Sequence, residues 1–385
     1  MDKKSNRIKV LVITYIGNII ASPPIVSMIS ELAKNNFQVD LAYSPSKKYK
    51  EPEFKSRLIQ KHIVTDIKHR LIIPGLRMFF FISGTLKLIF LRRPTYYIAI
   101  HVEALFIATV VSFFRPRPII FYSTEIRSYS QNKHFEWKLR KYLEILCQRK
   151  VALTIVQDEN RAELLKKVNK APNAKINVIP VGFVNTFNIK KKSDDLRKKY
   201  NIPKHKYIIL MSGTIANWTS SLEVVQIAST WSSNKVLIIH GKAEEKRYLE
   251  KVRKYCDGKK VILSEDFLSQ DEYDKMTIAA DIGLATYKNV NENIYNMGAS
   301  SGKIMQYLRC GVPVITMAWP TLIEIIEKEI AGLCINNFPE IEHSIHKIMH
   351  NYKLYSDNAR RIYTEKCNPE KYYNNFFKQI ESLCN

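Results

Sequence analysis

The chain has few of the features that would place it in a special structural class. Its six cysteines, at 147, 256, 310, 334, 367 and 384, form no CxxC pair and no dense cluster. That argues against a disulfide framework and suits reduced thiols in the cytosol. No uncharged apolar run reaches about 18 residues, so no transmembrane helix is expected. No Asp-x-Asp pair follows an expected strand, so nothing suggests a divalent-metal donor site. Zinc-finger spacings and RNP-like aromatic-glycine motifs are also missing, which argues against a dedicated nucleic-acid module. No repeat with a period of roughly 20–50 residues is visible, and no low-complexity tract.

Acidic residues are scarce beside basic ones, 36 against 60, giving a net charge of +24 over 385 residues. The surplus is uneven. Residues 1–184 carry 31 Lys and Arg against 13 Asp and Glu, net +18, and residues 185–385 carry 29 against 23, net +6. A basic first half implies an anionic partner there. The length is enough for two domains, and 46% hydrophobic with 11% aromatic residues is a folded composition.

The start of the chain mimics a short signal peptide, with Lys3, Lys4, Arg7 and Lys9 ahead of VLVITYIGNIIAS. Thr14, Gly17 and Asn18 interrupt the apolar run, which reads better as a strand and a glycine loop. Strands are then expected at Ile8–Thr14, Gln38–Tyr43, Tyr97–Ile100, Ile119–Tyr122, Leu153–Val156 and Asn177–Val181. Helices fit Ser22–Asn35 and Trp137–Arg149. Such alternation predicts a parallel sheet covered on both faces, with ligands at the carboxyl ends of the strands. Gly17, Asn18, His101, Glu103 and Glu125 fall on that rim. Glu125 reads either as a general base or as a structural hydrogen-bond acceptor.

Residues 185–206 turn polar and basic and read as a linker with a short helix at Asp194–Tyr200. The alternation restarts at Tyr207–Met211, which ends in Ser212-Gly213-Thr214. Val236–His240 follows, ending in Gly241-Lys242, and then Val261–Leu263. His343, His346 and His350 have a spacing that could bind metal, but the stripe Ile341, Ile345 and Ile348 beside them favours an exposed flank.

Asp281–Met317 organises the second half: a strand to Tyr287, a polar loop, a helix over Ser300–Arg309 and a strand over Val312–Met317. The helix opens on Ser300, Ser301, Gly302 and Lys303. Free N–H groups, the helix dipole and a lysine suit a phosphate or diphosphate there. An ordinary capped helix is the alternative.

Ser301-x-Lys303-x-x-Gln306-Tyr307-Leu308-x-x-Gly311-x-Pro313-Val314-Ile315 resembles a pattern of GT-B glycosyltransferases, notably the family 4 group. Val178–Phe183, Ile208–Gly213, Tyr273–Tyr287 and Pro369–Leu383 are similar to other parts of that family, so the resemblance covers nearly the whole chain. It implies an α/β fold of two Rossmann-like domains with parallel sheets facing across a cleft. Residues 1–184 would be the acceptor side, 207–360 the donor domain, and 361–385 a helix crossing back to the first domain.

The implied activity is transfer of a hexose from a UDP- or GDP-linked donor to a hydroxyl of a glycan or lipid-linked saccharide. Configuration would be retained, and surface polysaccharide assembly is the implied setting. A nucleotide-sugar epimerase of the same fold, or a degenerate binding protein, is the alternative. The resemblance implies donor contacts from Ser212, Gly213, Thr214, Lys242, Ser300, Ser301, Gly302, Lys303 and Gln306. Lys303 and Glu125 would be catalytic, with no metal and no cofactor required. Gln306 replaces the family's usual Glu and would still reach a ribose hydroxyl. Asn217 and Trp218 stand where the family has a cation, and Thr124-Glu125 where relatives often have His-Glu.

Leu71–Leu91 is strongly apolar but carries Arg77 and Lys87, with Arg92 and Arg93 next. It reads either as a helix lying on an anionic membrane surface or as a buried helix of the first domain. The first reading makes the protein cytoplasmic and peripheral on the inner face of the cell membrane.

Overall fold

The structure is a computed structural model and describes residues 7–15, 22–45, 53–65, 74–128, 135–182 and 194–383. Gly17 and Asn18 lie outside the described residues, as do 71–73 of the apolar segment and 185–193 of the expected linker. The chain forms two compact units, one of residues 1–184 with 369–385 and the other of 185–368.

In the first unit the order is β1 (Lys9–Thr14), α1 (Pro23–Lys34), β2 (Gln38–Tyr43), β3 (Ile59–Ile63), α2 (Pro74–Arg92), β4 (Tyr96–Ile100) and α3 (His101–Phe114). Then come β5 (Ile119–Tyr122), α4 (Phe135–Gln148), β6 (Val151–Val156), α5 (Glu159–Val168) and β7 (Ile176–Val178). The parallel sheet runs β3-β2-β1-β4-β5-β6-β7. Its inner strands are almost continuously apolar because helices cover both faces. On one face α1 packs with the last helix of the chain, Glu370–Ser382, whose Tyr373, Phe376, Phe377 and Ile380 enter the core. The Tyr96 hydroxyl donates to the Ile380 carbonyl at 2.7 Å. The other face carries α2, α3 and α4. This unit resumes at Pro369, not at the expected 361.

The second unit contains α6 (Asp195–Lys199), β8 (Tyr207–Ser212), α7 (Ser221–Ala228), β9 (Lys235–His240), α8 (Lys246–Arg253), β10 (Val261–Ser264), α9 (Gln270–Ala279), β11 (Ile282–Ala285), α10 (Glu292–Tyr295) and α11 (Gly302–Arg309). It continues with β12 (Val314–Met317), α12 (Pro320–Leu322), β13 (Gly332–Ile335), α13 (Glu340–His350) and α14 (Tyr352–Ile362); π-helical turns follow α12 and α14. The parallel order is β10-β9-β8-β11-β12-β13. Residues 194–206 are no free linker. Leu196 and Ile202 enter the core of this unit, and Arg197 pairs with Asp281 at 3.3 Å.

The strand order reverses between β1 and β4 in the first sheet and between β8 and β11 in the second. Neighbouring loops diverge at such points, leaving a crevice at the carboxyl ends of the strands. His101 follows β4 there, and Gly213 follows β8. No described helix is long and apolar enough to cross a membrane.

Candidate functional site

In the second unit the loops after β8 and β9 touch. Gly213 has φ +112° and Gly241 φ +149°. A Cβ on Gly241 would lie 1.7 Å from the Gly213 carbonyl oxygen, so only glycine permits this approach. Tyr307 of α11 fixes the turn from below. Its hydroxyl donates to the Leu210 carbonyl at 2.8 Å and accepts from the Ser212 N–H at 2.9 Å. The Ser212 hydroxyl lies 2.8 Å from the Tyr273 hydroxyl and 2.9 Å from that of Tyr307. The Tyr307 ring occupies the space left by Gly283, where a Cβ would come within 2.4 Å of it. Ser212 is therefore buried, its hydroxyl engaged by those of Tyr273 and Tyr307. Gly213 and Thr214 are exposed.

Lys303 lies over this turn. A Cβ on Gly213 would meet its Cε at 3.4 Å and its Nζ at 3.7 Å. The stem is partly exposed, but the ammonium is buried and has no hydrogen-bond partner. It sits 4.9 Å from the centroid of the Tyr287 ring, and burial lowers its pKa to about 8. Tyr287 stacks in turn on Trp218 at 6.2 Å and 11°.

Ser301, not Ser300, caps α11. Its hydroxyl accepts from the Ile304 N–H at 3.4 Å and meets the Tyr287 hydroxyl at 2.7 Å. Gly302 is exposed at the first position of the helix. The Ser300 hydroxyl is buried without a partner, as is Oε1 of Gln306. The Gln306 amide is not freely available to a ribose. It is 1% exposed, and its Nε2 donates to Asp274 Oδ1 at 2.6 Å. Asp274 also takes Arg309 at 2.6 Å, both side chains being buried.

Lys242 is exposed after β9, its Nζ 5.8 Å from the ring of the exposed Phe267. At the position where the family has a cation, Asn217 accepts from Lys288 Nζ at 2.6 Å, and Lys288 pairs with Glu223 at 2.5 Å. Tyr287, Asp274 and Phe267 escaped the sequence reading; the aromatics at the ends of β10 and β11 were the available signal. The three histidines of α13 are exposed opposite the buried Ile341, Ile345 and Ile348.

In the first unit His101 has a left-handed φ of +69°, strained for a residue with a side chain. Its Nδ1 is 2.8 Å from the Thr124 hydroxyl, and burial lowers its pKa. His101, Glu103, Thr124 and Glu125 line a cavity of about 210 Å³ with Arg127, Trp137 and Arg140. Glu103 pairs with Arg140 at 3.0 Å, and the exposed Glu125 with Arg127 at 2.9 Å. Both guanidinium groups lie over the Trp137 ring, at 4.2 and 4.6 Å. The cavity thus brings three expected residues together. Arg127, Trp137 and Arg140 were not foreseen.

Helix α2 is neither wholly buried nor wholly free. Phe81 and Ile89 are buried, whereas Leu76, Phe79, Phe80, Phe90 and Leu91 are exposed. Phe113 and Phe114 of α3 and Phe135, Leu139 and Tyr142 of α4 extend the exposed set. Arg77 lies over the Tyr15 ring at 4.7 Å, and Arg92 pairs with buried Asp40 at 2.7 Å. That leaves Lys87 and Arg93 as the outward cations of the expected four.

Residues 217–379 match the family described as glucosyltransferase 3-like, C-terminal domain. The chain is 30% identical over 103 residues to the chitobiosyldiphosphodolichol beta-mannosyltransferase of Candida albicans, a match covering 26% of this chain and 22% of that protein. The chain thus spans only about a fifth of this curated relative. It resembles sucrose-phosphate synthase from Thermosynechococcus elongatus with a TM-score of 0.76 at 15% identity, over 98% of this chain and 100% of that one. Anabaena HepE in complex with UDP-glucose gives 0.73 at 13%, over 98% and 100%. At these identities the structural likeness establishes the fold. The chain therefore has the fold of these two-domain proteins, and residues 217–379 are similar to the glucosyltransferase 3-like C-terminal domain.

Proposed function

We propose that the protein transfers a hexose from a UDP- or GDP-linked donor to a hydroxyl of a glycan or lipid-linked saccharide. The observation that carries this reading is Lys303, a buried ammonium with no acceptor, held over a glycine turn at the switch point of a parallel sheet. Buried polar groups are almost always paired, and one without a partner here points to an anionic ligand. In the transfer the bond from sugar C1 to the diphosphate oxygen breaks and a bond to the acceptor oxygen forms. Charge then gathers on the departing diphosphate. Lys303 and the free N–H groups at the start of α11 hold that charge in place. These groups supply the positive charge without a metal ion, and the family resemblance supports retention at C1.

The cavity of the first unit takes the acceptor. Its carboxylates and guanidinium groups offer acceptors and donors to hydroxyls, and Glu125 receives the hydroxyl proton. The UDP-glucose of Anabaena HepE supports a UDP donor, and the diphosphodolichol in the name of the Candida relative supports a lipid-linked acceptor. The exposed phenylalanines of α2, with Lys87 and Arg93, rest on the anionic inner face of the cell membrane. Surface polysaccharide assembly is the corresponding setting.

A thermal-shift screen against nucleotides and nucleotide sugars tests the reading, because a ligand that binds only the folded state raises the midpoint by mass action. UDP or GDP, alone or sugar-linked, should raise it where adenosine or cytidine diphosphate does not. No shift with any nucleotide refutes it.

A further inference from the structure

The turns at the amino end of the first sheet share one composition. They join α2 to β4, α3 to β5, α4 to β6 and α5 to β7, which are four neighbouring strands. Residues 93–95, 115–118, 149–150 and 169–175 contain no Asp or Glu. Arg93, Arg117, Arg149, Lys150, Lys170 and Lys175 are exposed there, and among the described residues none of them is in an ion pair. At the carboxyl end, by contrast, Arg127, Arg140 and Lys141 pair with Glu125, Glu103 and Glu144. Cations suit the carboxyl ends of helices, but that preference does not exclude carboxylates nearby. The equivalent turns of the second sheet hold Asp257, Asp281 and Glu329. Phe90, Leu91, Phe113 and Phe114 close α2 and α3 beside the basic turns and are 56–70% exposed. Lys150 Nζ lies 5.9 Å from the centroid of the Phe113 ring and joins the two features.

We propose that the amino end of the first sheet docks on an anionic lipid bilayer, with the cavity at the carboxyl end turned away from it. Unpaired cations beside exposed aromatic side chains match a bilayer interface, which offers negative headgroups and an apolar layer together. A duplex nucleic acid would meet the charge and leave the phenylalanines in water. The cavity lined by His101 and Glu125 lies past the carboxyl ends of β4 and β5. The five residues of β4 set it off from the basic turns by roughly 16 Å. The proposal deepens the membrane reading above, adding the turns after α3, α4 and α5 to the surface of α2.

The test is flotation of the full chain on vesicles of phosphatidylcholine with and without phosphatidylglycerol. Arg149, Lys150, Lys170 and Lys175 lie on the side of the sheet away from α2. Changing these four together to Gln should weaken binding several hundredfold, at about fivefold per cation, and leave the thermal midpoint unchanged. Changing Phe113 and Phe114 to Ser should remove the part of the binding that resists salt. In Phe114→Trp the added emission should be quenched by brominated lipid, whereas wild-type emission should not. Wild-type quenching that Trp137→Phe removes would put the cavity end on the bilayer and overturn the orientation. If the four-cation variant floats like the wild type while a variant of Phe79, Phe80 and Lys87 does not, this surface is refuted and the reading of α2 stands. No flotation of the wild type on anionic vesicles refutes both. Tighter binding to duplex DNA than to vesicles, lost in the four-cation variant, would make this a nucleic-acid surface and overturn the proposal.

Discussion

Replacing Lys303 with methionine should make the protein more stable and nearly inactive. Burial lowers the Lys303 pKa from 10.5 to about 8. At about 1.36 kcal/mol per pKa unit, holding the charged form in place costs roughly 3 kcal/mol. The contact with the Tyr287 ring already offsets part of the gross penalty, and its loss withdraws about 0.5–2 kcal/mol of attraction. Methionine keeps an unbranched stem over Gly213 and needs no acceptor. A net gain of about 1–2 kcal/mol corresponds to a midpoint rise of about 2–8 °C for a unit of this size. Transfer should fall about 10²–10³-fold, the usual effect of deleting a group that holds developing negative charge.

The pH dependence follows with its sign. Between about pH 8 and the ordinary lysine value the unfolded chain binds a proton that the folded chain does not, so wild-type stability rises with pH across that window. Lys303→Met should lack that rise. Nucleotide binding favours the ammonium, so wild-type affinity should fall as pH rises through about 8. Scanning fluorimetry from pH 7 to 10 with and without UDP, alongside turnover, reads all of this. A destabilised variant that keeps its UDP shift and its turnover would refute the reasoning.

Three further outcomes are expected. Activity should survive EDTA, since side chains supply the positive charge; full loss restored by Mn²⁺ or Mg²⁺ would place a metal in the chemistry. Flotation on vesicles containing anionic lipid should be weakened by salt and by changing Phe79, Phe80, Lys87 and Arg93 together to serine, with each outward cation contributing about 1 kcal/mol; equal recovery on neutral and anionic vesicles would contradict the docking surface. Gly241→Ala should lower the midpoint and abolish nucleotide binding, because its Cβ would strike the Gly213 carbonyl at 1.7 Å; unchanged binding would show that this contact does not shape the seat.

Most strands were legible because buried parallel strands are short, continuous apolar runs ended by polar or glycine turns. Gln38–Tyr43 and Ile119–Tyr122 occur with the bounds read from sequence. β3, reading IQKHI, was missed because it is a sheet edge whose polar residues face solvent. α3, HVEALFIATVVSFF, was not distinguished because it is apolar nearly all round and shows no amphipathic stripe. In the site, glycine, serine and lysine at the start of α11 could be read locally. What Ser212 and Gln306 do could not. Their partners Tyr273, Tyr307 and Asp274 lie 61, 95 and 32 residues away, and only the fold brings them together.

The central claim is that Lys303 seats the diphosphate of a nucleotide sugar. The most direct measurement is release of nucleoside diphosphate from UDP- and GDP-sugars in the presence of a saccharide acceptor, compared between the wild type and Lys303→Ala at equal folded concentration. The account predicts acceptor-dependent release of UDP or GDP by the wild type and loss of most of it in the variant. Equal release by both proteins, or none by the wild type with any donor, would contradict it.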